Sequence, residues 1–311
     1  MSAKRSRAEW SFYATLFAST FLFGSSFVAG KVLINAGVPA VLLAGFRLLA
    51  AAIAALPFVV AERPRSSPLW RLSGREVALV VLIGLLQTTG VMTLLFTSLR
   101  WMPASVAAII MSTSPIWVAL AGRLWLGDVM SSARYGGLVL GVVGVALAIG
   151  IRDRSINPDE APMWLGPAVC LAAAFCWSAA TIVAKRARLS LSPWALTFWQ
   201  MLIGSLVIIA IAYTLGERWP ERNSMTEWLW FAWLAVPGST AAFGLWFIAL
   251  SRGGAIRTSS FLFLAPLFAT LLSIAVFGTI ISMLQVAGGV LIAVALWLVN
   301  RGPDESNGSA D

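Results

Sequence analysis

The sequence predicts an all-α integral membrane protein with ten transmembrane helices, arranged as two inverted five-helix repeats around a central cavity. Three observations support this prediction. Hydrophobic residues make up 59% of the 311 residues and charged residues only 11%, whereas a soluble domain carries roughly 25% charged residues. Apolar runs of about 20 residues, long enough to cross a bilayer as helices, follow one another along the chain. Residues of the first half recur in the second half at a nearly constant spacing.

The apolar runs define the predicted spans. They lie at residues 12–34, 40–61, 77–99, 104–126, 134–151, 163–184, 194–215, 227–250, 256–277 and 281–299. The connections between them are mostly short, so consecutive helices are expected to be antiparallel neighbours. The first repeat is predicted to occupy residues 1–155 and the second repeat residues 156–311, within one integral membrane domain.

The repeat is visible as a series of matched residues. Lys31 matches Lys185 and Pro39 matches Pro193, both at a shift of 154. Farther along, the shift becomes 151, which we call the repeat spacing; it relates Phe96 to Phe247, Leu99 to Leu250, Pro115 to Pro266, Gly127 to Gly278, Ser131 to Ser282 and Gly137 to Gly288. Five spans is an odd number, so the second half would enter the membrane from the opposite side. Inverted repeats of this kind build many secondary transporters, which bind substrate near the midplane where the halves meet.

The distribution of Lys and Arg predicts that both termini are cytoplasmic. In that orientation the basic stretches 1–11, 62–76 and 185–188 all face the cytoplasm. The apolar run after the basic N-terminus is too long for the core of a signal peptide, so we expect the first helix to be retained. The absence of eukaryotic targeting motifs, with a bias toward Arg, Ala and Trp, favours a bacterial cytoplasmic (inner) membrane.

Several motifs resemble the EamA-type members of the drug/metabolite transporter (DMT) superfamily. They are "FGSSFVAGK" (23–31), "FRLLAAA" (46–52), "SPIWVALAGRLWLGD" (114–128) and "GGLVLGVVGVALAI" (136–149), repeated more loosely in "CWSAATIVAK" (176–185) and "APLFATLLSIAVFG" (265–278). The resemblance covers nearly the whole chain, and among characterised members the bacterial amino-acid exporters of the YddG kind are the favoured comparison. It implies ten helices, inverted five-helix repeats and a central cavity.

Three prolines mark predicted helix breaks and gates. Pro115 and Pro266 fall at equivalent places in the two halves, and Pro237 falls near the middle of the eighth span. A proline removes one backbone hydrogen bond, so the carbonyls of Met111 and Leu262, four residues earlier, lose their usual donor. Those carbonyls could face a polar substrate, or the prolines could be plain kinks satisfied by a neighbouring helix. Both interpretations remain open.

Polar side chains at midplane depth are the predicted substrate contacts. The predicted set comprises Ser25, Gln87, Thr88, Ser114, Ser178 and Ser239. Ser and Thr can return a hydrogen bond to their own helix, so a structural role is the alternative for them. An amide in lipid is costly, which sets Gln87 and Gln200 apart from the hydroxyls, and Gln87 is the preferred polar contact.

Two deep tryptophans and one arginine complete the predicted site. Trp177 and Trp246 either pack in the helix bundle or line the cavity, where an indole can stack on an aromatic side chain or lie over an ammonium group. Arg47 lies about 10 Å into the core at 1.5 Å per residue. Its role is left open between bracing a broken helix, contacting a substrate carboxylate or the outer gate, and reaching toward the outer interface. Its equivalent, Met201, is uncharged.

The residues that are missing restrict the chemistry. There is no His, and all thirteen Asp and Glu fall in loops, in tails or at span ends. A proton-coupled drug antiporter usually needs an intramembrane acid, and aspartyl catalysis needs paired acids. Cys170 and Cys176 lie in one apolar span and are expected to be unpaired thiols. We therefore expect no enzymatic activity, no catalytic residue, no metal site and no cofactor.

The favoured function is a secondary transporter that exports small metabolites, foremost aromatic or other neutral amino acids, by alternating access. A zwitterion suits a mildly polar, aromatic cavity without a fixed acid. The alternatives are an exporter of drugs, nucleotides or sugar-type metabolites and, with less support, a membrane-embedded enzyme. The expected partners are an amino-acid substrate and the lipid bilayer, not nucleic acid. The oligomeric state is left open, and a monomer is compatible with the sequence.

Overall fold

The computed structural model describes residues 2–62, 72–98, 107, 110–125, 131–149, 164–187, 189–277 and 283–300. Within these residues the secondary structure is helical, without a strand. Most helices are continuous: α1 (Ser2–Asn35), α2 (Ala40–Ala61), α4 (Ser114–Trp125), α5 (Ser132–Ile149), α6 (Leu165–Ala187), α7 (Pro193–Thr214) and α10 (Met283–Asn300). The composite helices are α3 (Gly74–Ile83, the π-helical segment Gly84–Gly90, Val91–Ser98), α8 (Met225–Ala235, the π-helical segment Val236–Ala241, Ala242–Arg252) and α9 (Ala255–Ser260, the 3-10 turn Phe261–Phe263, Leu264–Phe277).

Seven helices of the described chain are long and apolar enough to cross a membrane. They are Glu9–Asn35, Ala40–Ala61, Gly74–Ser98, Leu165–Ala187, Pro193–Thr214, Met225–Arg252 and Ala255–Leu272. Two shorter apolar helices, Ser132–Leu147 and Val286–Asn300, fall on the predicted fifth and tenth spans. The helical, multi-pass class is confirmed, whereas the count of ten spans and the inversion of the halves stay predictions. The predicted spans 77–99, 104–126, 134–151, 163–184 and 281–299 each include residues outside the described ranges.

The first helix begins earlier than the hydropathy predicts. The apolar run starts at residue 12, but α1 begins at Ser2. Residues 3–9 include Ala, Lys, Arg and Glu, which are good helix formers in water. The helix therefore continues beyond the apolar run, and the start of the helix and the start of the span differ by about three turns.

Two capping boxes start helices at equivalent positions of the two halves. Ser73 caps α3 and Ser224 caps α8; each accepts a hydrogen bond from the backbone of a glutamate three residues later, Glu76 or Glu227, whose carboxylate binds back. The repeat spacing relates the two serines and also the two glutamates. Such boxes satisfy two backbone donors at a helix start. The sequence patterns S-G-R-E and S-M-T-E could have revealed them.

We expect replacement of Glu76 by alanine to lower the melting temperature more than the equivalent replacement of Glu227. Both changes remove a capping box, but Glu76 also accepts hydrogen bonds from the Ser190 backbone (3.2 Å) and hydroxyl (2.8 Å), just before α7. Thermal unfolding of the purified protein in detergent measures the difference. Equal losses in the two variants would show that the hydrogen bonds from Ser190 to Glu76 contribute nothing to stability.

The helices form two compact units, and each unit takes helices from both halves of the sequence. Unit 1 comprises Met1–Thr89 and Ala187–Gly253; unit 2 comprises Gly90–Arg186 and Gly254–Asp311. The predicted boundary between residues 155 and 156 separates sequence repeats, and it stays a prediction at that level. The compact units divide the chain differently from the repeats, because equivalent helices of the two halves pack within the same unit.

In unit 1, α2 packs along α7, and α1 packs on α8. Left-handed glycines end α1 and α7: Gly37 has φ 93° and Gly216 has φ 78°. Glu217 follows the second of these turns, and its carboxylate accepts a 2.7 Å hydrogen bond from the N–H of Leu42, in the first turn of α2. A carboxylate is well placed there because the first N–H groups of a helix have no partner within it.

In unit 2, α5 packs along α10 through glycines. A Cβ atom on Gly144 would lie 2.9 Å from the backbone nitrogen of Ile292, and one on Gly137 would lie 2.9 Å from Leu298. Small residues allow such close approach between helices in a membrane. Around this contact lies a core that includes Leu138, Val145 and Phe263.

Candidate functional site

Both π-helical segments occur at the same place in the repeat. The repeat spacing carries Gly84–Gly90 of α3 onto residues 235–241, and the π-helical segment of α8 is Val236–Ala241. Pro237 is the second residue of that segment. The hydroxyl of Ser239 donates to the carbonyl of Leu234, five residues earlier (2.8 Å), as the wider π turn allows. Single π turns inside α-helices are frequent at functional sites.

Each π-helical segment of unit 1 is bound to a helix of the other half of the sequence. On α3 the hydroxyl of Thr89 donates to the carbonyl of Gly204 in α7 (3.2 Å). On α8 the hydroxyl of Thr240 donates to the carbonyl of Ala51 in α2 (2.8 Å). Thr89 and Thr240 are themselves related by the repeat spacing. The two bridges therefore repeat one arrangement, in which a broken helix is held by the backbone of its neighbour.

A cluster of buried amides lies where α3 meets α7. We call Gln87, Thr88 and Gln200 the amide cluster. The Thr88 hydroxyl donates a hydrogen bond to Oε1 of Gln200. Within the described part of the chain, Nε2 of Gln200 has no partner, nor does either polar atom of Gln87. Both glutamine side chains are 0% exposed. Leaving a buried polar group unpaired costs about 1–3 kcal/mol, so the unpaired atoms of this cluster lower the stability of the folded protein.

Glycines bring the two backbones of the amide cluster together. A Cβ atom on Gly204 would overlap the side chain of Thr88, and one on Gly84 would lie 3.0 Å from the carbonyl oxygen of Gln200. Thr88 and Gln200 are therefore held by direct packing between α3 and α7. The sequence singled out Gln87 and Gln200 as costly amides and preferred Gln87 as the contact. It did not predict the bond from Thr88 to Gln200, because an interhelical hydrogen bond leaves no pattern along the chain.

Ser25 of α1 and Trp246 of α8 both take part in contacts between these two helices. The Ser25 hydroxyl donates to the carbonyl of Leu22 (2.8 Å) and accepts from the indole N–H of Trp233 in α8 (3.1 Å). Trp246 is fully buried with its ring 6.3 Å from that of Phe23. These contacts fit the packing interpretation of Trp246, and they link Ser25 to α8 beside the π-helical segment.

Arg47 lies on α2, half-buried. It comes five residues after Leu42, about 7.5 Å farther along the helix axis. The N–H of Leu42 is the group that Glu217 binds. The Phe46 ring packs edge-on against Trp219, with ring centroids 5.6 Å apart. All three predicted roles of Arg47 stay predictions.

The predicted residues of unit 2 form a second, smaller group between α4 and α6. The Ser114 hydroxyl donates to the carbonyl of Met111 (2.6 Å), and the Ser178 hydroxyl lies 3.1 Å from the carbonyl of Ser114. The Met111 carbonyl, predicted to lack its usual donor, therefore receives one from a side chain. Trp177, beside Ser178 on α6, is buried at 7% exposure.

The helix breaks of unit 2 overlap at one equivalent position, that of Ser112 and Phe263. The turn Ser112–Thr113 interrupts the chain before Pro115, the second residue of α4. In α9 the 3-10 turn Phe261–Phe263, which holds Leu262, precedes Pro266. The repeat spacing carries positions 112–113 onto positions 263–264. Both prolines thus follow an irregular turn.

Both cysteines are free thiols, as predicted: Cys170 is buried and Cys176 is half-buried. Among the residues that the structure describes, no group of three or more His, Cys, Asp or Glu could hold a metal ion.

Two stretches, residues 10–150 and 164–301, match the model of the EamA-like transporter family. The chain belongs to the EamA-like transporter family. This transporter is similar over most of its length to curated proteins of bacteria and plants. An uncharacterized transporter of Synechocystis sp. is 29% identical over 305 residues, covering 92% of this chain and 89% of its own. Protein PecM of Dickeya dadantii is 29% identical over 259 residues, covering 81% and 82%.

A third relative of this EamA-family transporter has a more specific name. A probable amino-acid metabolite efflux pump of Salmonella typhimurium is 27% identical over 287 residues, covering 89% of this chain and 90% of its own. A solved crystal structure superposes with a TM-score of 0.78 at 20% identity, covering 93% of this chain and 96% of its own, which shows a shared fold. The protein is therefore a multi-pass membrane protein of the DMT superfamily, as its sequence motifs predicted.

Proposed function

We propose that this EamA-family transporter exports small neutral metabolites, foremost amino acids, by alternating access. The observation that supports this most is the amide cluster: two fully buried, uncharged amides, three of whose four polar atoms lack partners in the described chain. Such groups are expensive to bury and present hydrogen bonds to a polar solute without fixing a charge. A zwitterionic or neutral solute matches that surface.

The positions of the acids support a neutral or zwitterionic substrate. In the seven candidate spans the carboxylates are those of Glu9, Glu76 and Glu227, each within the first three residues of its span. Exchange of protons for a cationic drug usually relies on an acid deep in the membrane. The name of the Salmonella relative, a probable amino-acid metabolite efflux pump, points to the same class of substrate.

Alternating access requires two gates of similar build. The paired π-helical segments, the paired threonine bridges and the paired proline breaks all recur at the repeat spacing, and they are the elements we assign to the gates. A π turn or a proline break is a place where a helix can bend. In the cell we place the protein in a bacterial inner membrane with both termini cytoplasmic; a relative in Escherichia coli is named an inner membrane transporter.

Counterflow into proteoliposomes tests this function. Liposomes containing the purified protein are preloaded with unlabelled leucine or phenylalanine, and entry of the labelled amino acid is followed against protein-free liposomes. We expect entry of at least one of the two. Repeating the assay with and without a proton gradient decides whether transport is coupled. Transport of a nucleotide, sugar or cationic drug with neither amino acid moved would overturn the proposal.

A further inference from the structure

The side-chain amide of Gln200 has N–H donors that the described chain leaves without a partner. Its Oε1 accepts the hydrogen bond of the Thr88 hydroxyl, which leaves the two N–H groups of Nε2 to face elsewhere. Nε2 is buried and has no partner among the described residues. In this hydrogen bond the Thr88 hydroxyl is the donor and the amide oxygen the acceptor.

The amide cluster as a whole has more unmet donors than acceptors. Gln87 and Gln200 each have an Nε2 without a partner in the described chain, and Gln87 adds one unpaired oxygen. Each amide nitrogen carries two N–H groups, so four donors are set against one acceptor atom. A carboxylate accepts hydrogen bonds and donates none. Of the two charged groups of an amino acid it is the one that matches this excess, and hydrogen bonds to a charged group are the stronger ones.

The packing around Thr88 explains why its hydroxyl can orient Gln200. Its side chain lies directly against Gly204, and its neighbour Thr89 is bound to the Gly204 carbonyl at 3.2 Å. The residue is thus held on two sides within unit 1. Fixing a binding group before the ligand arrives reduces the entropy lost on binding.

We propose that Gln200 binds the carboxylate of the substrate through Nε2, and that Thr88 is the positioning residue that orients the amide. This inference rests on the proposed function and adds to it the group that is recognised. Because both amides are fully buried, the substrate reaches them in a conformation in which α3 has moved at its π-helical segment. The shift that matches Pro39 with Pro193 makes Phe46, packed on Trp219, the equivalent of Gln200. The donor therefore belongs to one half only.

Two solutes that differ by the carboxylate test this proposal in proteoliposomes. They are labelled phenylalanine and phenethylamine, the amine that remains when the carboxyl group is removed. We expect wild-type protein to move phenylalanine and to discriminate against the amine. Replacement of Gln200 by methionine, or of Thr88 by valine, raises KM for phenylalanine about tenfold, the effect of losing about 1.4 kcal/mol of binding. Thr88→Ser, which keeps the hydroxyl, restores a KM near that of wild type.

Two further variants separate recognition from packing. Ser205→Ala removes a fully buried hydroxyl of α7 that donates to the carbonyl of Leu202 in its own helix (2.9 Å), so KM is expected to stay unchanged. Gln200→Glu places a negative charge at the amide position, so transport of phenylalanine falls and transport of phenethylamine rises, a gain that a misfolded protein cannot show.

The outcomes distinguish this inference from the proposed function. An unchanged KM in Gln200→Met and Thr88→Val, with phenylalanine still transported, overturns only the role of Gln200. Equal rises of KM in Thr88→Val and Ser205→Ala show that helix packing alone is involved, which also overturns it. Transport of neither leucine nor phenylalanine by wild-type protein overturns the proposed function, and this inference with it.

Discussion

Replacement of Gln87 by methionine is expected to stabilise the protein and to abolish transport. Methionine has nearly the shape of glutamine but no polar group to bury. Gln87 is 0% exposed, and neither polar atom of its amide has a partner in the described chain. Removing that unsatisfied amide should raise the free energy of unfolding by about 1–3 kcal/mol. If the amide is the polar contact of the substrate, the same change removes a hydrogen bond on which binding depends.

Thermal unfolding in detergent and counterflow in proteoliposomes measure the two effects on one preparation. Ser205→Ala is the matched control, because Ser205 is also fully buried but its hydroxyl already donates to the carbonyl of Leu202 in its own helix (2.9 Å). The control should not be stabilised and should keep transport. A Gln87→Met variant that is less stable than wild type and transports normally would mean that the amide is a structural group.

Replacement of Gly204 by alanine is expected to destabilise unit 1 strongly. The added Cβ would overlap the Thr88 side chain and would lie 2.9 Å from the backbone oxygen of Gly84. Backbone atoms cannot move aside as the end of a flexible side chain can, so α3 and α7 must separate. Overpacking of this kind costs about 1–3 kcal/mol. We also expect loss of transport, because the amide cluster is formed by the same helix contact.

Gly30→Ala provides the matched comparison for this substitution. Gly30 lies in α1, and a Cβ atom there would meet nothing within 4 Å. In an open helical position alanine is favoured over glycine by about 0.5–1 kcal/mol. The two substitutions should therefore shift the melting temperature in opposite directions. A rise in both would show that α3 and α7 do not pack as closely as described.

The class of the protein could be predicted from the sequence because hydropathy acts over whole helices. Apolar runs long enough to span a bilayer are specified locally, and so are the proline breaks and the repeat spacing. That spacing also relates the two π-helical segments and the two capping boxes, which the sequence analysis did not identify. Pro237 indicated a break in α8, but the matching segment of α3 contains no proline, so its π turn was not predicted.

The contacts of the amide cluster could not be read from the sequence. Gln87 stands out because an amide is rare in an apolar span, and the structure shows it buried as that argument requires. The hydrogen bond from Thr88 to Gln200 joins residues 112 positions apart, and it exists only because Gly84 and Gly204 let two helices approach. Division into two compact units also depends on such long-range packing. For Met111, a local contact was missed: the Ser114 hydroxyl three residues later supplies its carbonyl with a donor.

Stabilisation by substrate tests the central claim, that the amide cluster binds the solute that this transporter moves. A ligand that binds only the folded protein raises the free energy of unfolding by about 2.7 kcal/mol at a concentration of 100 times Kd. We predict that the amino acid moved in counterflow raises the melting temperature of wild-type protein and of Ser205→Ala, and leaves that of Gln87→Met unchanged. An equal rise in wild-type protein and Gln87→Met would contradict the claim and place the binding site elsewhere.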